Sequence, residues 1–180
     1  MPGYRSHRGR LFEWGHGYAI HTCVLRPESR GTVTLDAQKN LCIDFNCLSH
    51  PRDAQVLIEG IKLARQILAQ PEFDAFRGKE MLPGSEFHSD EALLKYIQNY
   101  GATVFHPAGT CKMGSDAMSV VDPATLKVWG IDNLRIADVS IMPSLISGNT
   151  NAAAIMIGER VAATIINHTI TFPPADSQAL

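Results

Sequence analysis

From Leu134 the chain reads LRIADVSIMPSLISGNTNAAAIMIGERVAATII, ending at Ile166. Leu134, Arg135, Ile136, Ala137 and Asp138 read as a strand that ends in a carboxylate. Ser147-Gly148-Asn149-Thr150-Asn151 reads as a tight turn, since these are the residue types that supply turns and helix starts. Residues 152–166 are rich in alanine and apolar almost all round, which predicts a buried helix.

Upstream of this stretch lies His106-Pro107-Ala108-Gly109-Thr110-Cys111-Lys112-Met113-Gly114. Glycines and a proline beside a histidine predict a rigid loop whose backbone can be closely approached. The first half alternates strand-like and turn-like stretches. Residues 17–26 (GYAIHTCVLR), 32–35 (TVTL) and 41–45 are rich in β-branched and aromatic residues and separated by short turns, which predicts three antiparallel strands. A helix is expected next, opened by Ser49, His50, Pro51 and Asp53 and ended by Pro71, with Leu57, Ile61, Ala64 and Leu68 on one face. A shorter helix follows Ser89, with Asp90 and Glu91 in its first turn and Leu94 and Ile97 on its apolar side. The fold class expected is α+β, an antiparallel sheet covered by helices.

The 180 residues carry a formal charge of −2, with 45% hydrophobic and 19% charged residues. That balance suits a soluble globular chain and offers no basic surface for nucleic acid. No apolar run is long enough for a membrane span, and the basic stretch 1–8 leads into no apolar segment of a secretory signal. Cys23, Cys42, Cys47 and Cys111 form no CxxC pair, so they read as buried thiols in a reducing compartment, and the chain as cytoplasmic. A metal site on His16, His21, Cys23 and Cys42 is disfavoured, because two histidines five apart on a strand point to opposite faces; no metal is expected.

Each notable residue has two readings. His106 is a hydrogen-bonded loop histidine, or an imidazole that titrates near neutrality and takes a proton from an alcohol. Asp138 is a turn or cap residue, or a carboxylate that accepts bonds from a ligand hydroxyl at the end of a strand. Asn149 and Thr150 are helix caps, or they border a helix N-terminus that favours negative charge.

Taken together, HPAGTCKMG and VVDPATLKVWGIDNLRIADVSIMPSLISGNTNAAAIMIGERVAATI resemble the C-terminal signature of the glucose–methanol–choline (GMC) family of flavoprotein oxidoreductases. The upstream stretches RPESRGTVTL, IDFNCLSHPRD and VLIEGIKLARQIL resemble that family's substrate-binding region, nearest its choline dehydrogenase-like and alcohol dehydrogenase branch. The resemblance implies FAD as cofactor and a small alcohol as substrate. It implies His106 and Asn149 as the catalytic pair. Asp138 and Val139 match positions near the flavin ribityl and pyrophosphate, and Asn149 and Thr150 match the backbone beside the flavin ring. It implies a partial substrate-binding region at 1–116, the C-terminal strand and helix of an incomplete FAD-binding α/β domain at 117–168, and a loose tail at 169–180.

The family's N-terminal GxGxxG turn has no counterpart here, since Gly15-His16-Gly17 lacks the third glycine. The expectation is therefore a truncated or split enzyme that needs an N-terminal FAD-binding half and is inactive alone. The competing expectation is a catalytically inactive interaction module that has lost that half.

Overall fold

The computed structural model describes residues 16–166. The leader reading at 1–8 and the tail reading at 169–180 lie outside them. The chain forms two compact units, Met1–Phe105 and His106–Leu180.

In the first unit, β1 (Thr32–Leu35) and β2 (Leu41–Asp44) pair antiparallel as a hairpin, with Val33 opposite Ile43 and Leu35 opposite Leu41. Because side chains alternate along a strand, these four apolar residues share one face, while Thr32, Thr34, Cys42 and Asp44 share the other. Every residue of both strands is exposed, so among the described residues no helix covers the sheet as expected. The expected strand at 17–26 does not form either. A strand needs a partner, and this segment instead lies along α1 (Pro51–Leu68) and the turn after it. Tyr18 stacks at 5.6 Å on Phe73, and a Cβ on Gly60 would meet the Thr22 Cβ at 3.1 Å. With the strand gone, the face-to-face argument against a His16/His21 metal site also lapses. Among the described residues, no three metal-ligating groups converge.

The helix α1 starts as the sequence dictates: His50 is the N-cap, its side chain accepts from the Arg52 N–H, and Pro51 occupies the first turn, where its missing N–H costs nothing. The helix stops at Leu68, ahead of the expected Pro71, which opens a single 3-10 turn, Pro71–Phe73, after an extended Gln70. In α2 (Asp90–Tyr100) the Ser89 side chain accepts from the Ala92 N–H. Its buried residues are Leu93 and Ile97, with Leu94 only partly buried. Ile58, Leu93 and Ile97 make the core between α1 and α2. The Arg65 guanidinium ties the segment between the helices to α1, meeting Glu80 at 2.8 Å and donating to the carbonyls of Gly84 and Phe87.

Among the described residues, the second unit is loops around one α-helix, α3 (Asn151–Ile165). Its core is Val121, Leu126, Ile141, Met142, Ile157 and Val161. The expected strand at 134–138 does not form. Arg135 makes one isolated bridge with Lys127, and Asp138 caps a 3-10 turn, Val139–Ile141, its side chain accepting from the Ser140 N–H. The α3 helix buries Ile157 and Val161 on one face and Ala163 on another, and leaves Ile155, Met156 and Ile165 exposed, so burial on all sides is not met here. Nor are the cysteines buried: all four are free, Cys23, Cys42 and Cys47 are exposed, and Cys111 is partly so.

Candidate active site

The His106 loop is held against the segment that follows Asp138. The N–H of Gly109 donates to Val139 O, that of Cys111 to Ser140 O at 2.9 Å, and that of Met113 to Ile141 O at 2.8 Å. Alternate residues of this loop thus bond successive carbonyls of a 3-10 turn. Gly109 adopts φ +86°, a left-handed conformation that suits glycine, and a Cβ there would meet Met142 O at 3.0 Å. Further along, Asp116 gathers the loop's end: it accepts from Lys112 Nζ at 2.7 Å and from the Met118 N–H and Ser119 hydroxyl. The Lys112 ammonium and these donors hold its carboxyl at about 2. The Trp129 indole N–H donates to Gly114 O.

This scaffold brings together residues that lie 43 and 44 apart in sequence. His106 Nδ1 is 2.9 Å from the Thr150 hydroxyl, and His106 Nε2 is 3.2 Å from Asn149 Oδ1. The ring is thus fixed at both nitrogens, with its two edges in different surroundings. Thr150 is 8% exposed, whereas Asn149 is exposed and His106 intermediate. Nδ1 faces inward and Nε2 faces out beside an amide. Both oxygens can accept hydrogen bonds, so the pair of partners matches the doubly protonated imidazolium, the species a general base becomes after taking a proton.

Thr150 departs from the capping expectation. It occupies the N-cap position of α3, yet its side chain makes no cap bond; the hydroxyl goes to His106 instead. A small hydroxyl residue before a helix is its only sequence signal, and that signal points to capping. Asp138 takes the turn-and-cap arrangement, exposed and bonded to the Ser140 N–H at 2.7 Å, with Val139 and Ser140 partly buried behind it. The aromatic residues Tyr18, Phe105 and Trp129 are all exposed.

A loop histidine aligned by a neutral amide and a hydroxyl, at the mouth of a helix whose N-cap side chain makes no cap bond, has the chemistry of a proton-abstracting site. The family model described as GMC oxidoreductase matches residues 27–158. The oxygen-dependent choline dehydrogenase of Cronobacter sakazakii is 45% identical over 172 residues, 94% of this chain and 31% of that enzyme. The alcohol dehydrogenase [acceptor] of Pseudomonas putida is 42% identical over 169 residues, 92% of this chain and 30% of that enzyme. The crystal structure of pyridoxine 4-oxidase from Mesorbium loti superposes with a TM-score of 0.72 at 34% identity, over 81% of this chain and 29% of that one. The chain belongs to the GMC oxidoreductase family, whose cofactor is FAD, and it spans under a third of the length of these relatives.

The residues present fit part of that cofactor. The Thr150 side chain does not cap α3, and the unpaired N–H groups and dipole of a helix N-terminus favour negative charge there. Asp138 adds an exposed carboxylate able to accept from hydroxyls. Among the described residues, no helix is long and apolar enough to cross a membrane.

Proposed function

We propose that this chain is the C-terminal part of an FAD-dependent enzyme that oxidises a primary alcohol, choline or another, to an aldehyde, with His106 and Asn149 as its catalytic pair. The observation that carries the reading is the His106 ring held between Thr150 and Asn149 with Nε2 on the accessible side. The hydroxyl proton of the alcohol passes to Nε2. Asn149 cannot titrate; its amide holds and polarises the substrate oxygen while its Oδ1 receives the new Nε2–H. When bound, FAD supplies the hydride acceptor. Asp138 and Val139 hold its ribityl and pyrophosphate portion, and the backbone of Asn149, Thr150 and the first turn of α3 holds the ring edge. In this reading, residues 1–116 are substrate-binding and 117–168 complete the FAD-binding domain.

The cradle for the ADP half of FAD lies in a further N-terminal half, on the same or a separate chain. Two apolar surfaces support such a partner. The hairpin presents Val33, Leu35, Leu41 and Ile43 on one exposed face, and α3 leaves Ile155, Met156 and Ile165 open. Patches of this kind mark surfaces that another element covers. The free, exposed thiols support a reducing, cytoplasmic setting.

The test is rapid-mixing flavin reduction by alcohol in the complete enzyme. His106→Ala and Asn149→Ala are each expected to slow reduction by about tenfold or more with FAD still bound. Unchanged rates in flavin-loaded variants would overturn the assignment. A complete, flavin-loaded wild-type protein that oxidises no alcohol would favour the inactive interaction module instead.

A further inference from the structure

We propose that the Thr150 hydroxyl is a positioning group for catalysis, holding His106 Nδ1 so that Nε2 is free to act as the base. The inference rests on the catalytic reading of His106 given above and gives the Thr150 hydroxyl, there only a support of the ring, a part in setting its tautomer. Three observations carry it. Thr150 is the N-cap residue of a 15-residue helix, but its hydroxyl forms no cap bond. That hydroxyl is buried and lies 2.9 Å from Nδ1. The opposite ring nitrogen meets an exposed amide, so the two nitrogens differ in the partners open to them.

A neutral imidazole carries one proton, and its two tautomers have opposite chemistry at Nε2. With the proton on Nε2, that atom donates to Asn149 Oδ1 and has no lone pair for the substrate. With the proton on Nδ1, the Thr150 oxygen accepts it and Nε2 is bare; the alcohol O–H then takes the place of Asn149 Oδ1 against Nε2, and its O–H bond can break as the Nε2–H bond forms. The resulting imidazolium donates from both nitrogens, to Thr150 Oγ1 and to Asn149 Oδ1. A hydroxyl both donates and accepts, so Thr150 can partner the inward nitrogen in every state of the cycle. A valine of the same shape cannot. It would leave a buried N–H with no acceptor whenever Nε2 is bare, and the ring would settle into the Nε2–H form.

The experiment compares Thr150→Val, Thr150→Ala and Thr150→Ser in the complete, FAD-loaded enzyme labelled with ¹⁵N-histidine. Imidazole ¹⁵N shifts read the tautomer of His106, with His106→Gln assigning the signals. Thr150→Val is expected to move the population toward Nε2–H and to lower kcat by about tenfold, with KM changed by less than about threefold. Thr150→Ser is expected to keep the wild-type tautomer and most of kcat. If Thr150→Val does not fold, Thr150→Ala against Thr150→Ser makes the same comparison. Wild-type ¹⁵N shifts in the folded variant lacking the hydroxyl, or an equal loss in Thr150→Ser, would overturn the proposal. Its failure is separable from failure of the underlying site: full flavin reduction in His106→Ala removes the catalytic reading, whereas an inactive His106→Ala beside an unperturbed Thr150→Val removes only the role of Thr150.

Discussion

Asp53 is 3% exposed, and a carboxylate so enclosed needs compensating donors. It has them in the backbone N–H groups of Glu28 and Ser29, at 2.9 and 2.8 Å. Burial pushes its pKa up, but these N–H groups, the Ser29 hydroxyl and nearby His50 outweigh that and hold the carboxyl below its ordinary value. A depressed folded-state pKa contributes stability that is complete above the unfolded value of about 4 and is lost as pH falls through the folded one. Asp53→Asn keeps the shape but points an amide N–H at a backbone N–H, and is expected to cost about 1–3 kcal/mol at neutral pH. The cost should shrink below about pH 4, where the wild-type carboxyl also gains a proton. Denaturant unfolding at pH 7 and pH 3 checks both. Residue types alone mark Asp53 as a first-turn acid of α1; its grip on a segment 24 and 25 residues upstream is visible only in the fold.

Among the elements, the helices were the legible part. The spacing of Leu57, Ile61, Ala64 and Leu68, with Pro51 at the start, anticipates α1, and Ser89 marks the first turn of α2. Both signals act within a turn or two of chain. The apolar runs at 17–26 and 134–138 failed as strands because a strand's bonds lie with a partner elsewhere in the sequence. The first lies on a helix, and the second feeds a 3-10 turn that the His106 loop bonds. That loop-to-turn ladder depends on Gly109 at positive φ. Gly109→Ala is expected to destabilise by about 1–2 kcal/mol, and calorimetric unfolding should show a Tm lowered by several degrees. The crowding of the new methyl against Met142 O should also shift the His106 ring resonances in an NMR spectrum; an unchanged Tm would show that the loop relaxes freely.

For the whole molecule, each unit has its own small core, and both leave apolar surface open. The hairpin register places Val33, Leu35, Leu41 and Ile43 together on an uncovered face. On the function proposed above, this chain by itself holds the ring-edge side of FAD but not its ADP half. Titrating the purified chain with FAD and reading the flavin absorbance retained after gel filtration is expected to give far less than one equivalent. A stoichiometric flavin peak on this chain alone would refute the split-cradle reading.

What the sequence determined by itself was the family, through the ordered signature from His106 to the last helix, the helices, and the identity of His106 and Asn149 as a pair worth testing. These are readable because propensity, capping and motif order are local or linear properties of the chain. Tertiary structure decided what the sequence left open: which nitrogen of His106 faces inward, that Thr150 spends its hydroxyl on that nitrogen instead of capping α3, and that Asp138 ends no strand. Those outcomes depend on the path of the chain between residues 43 and 44 positions apart. Burial then selects one hydrogen-bond partner over another, and no local spacing encodes that choice.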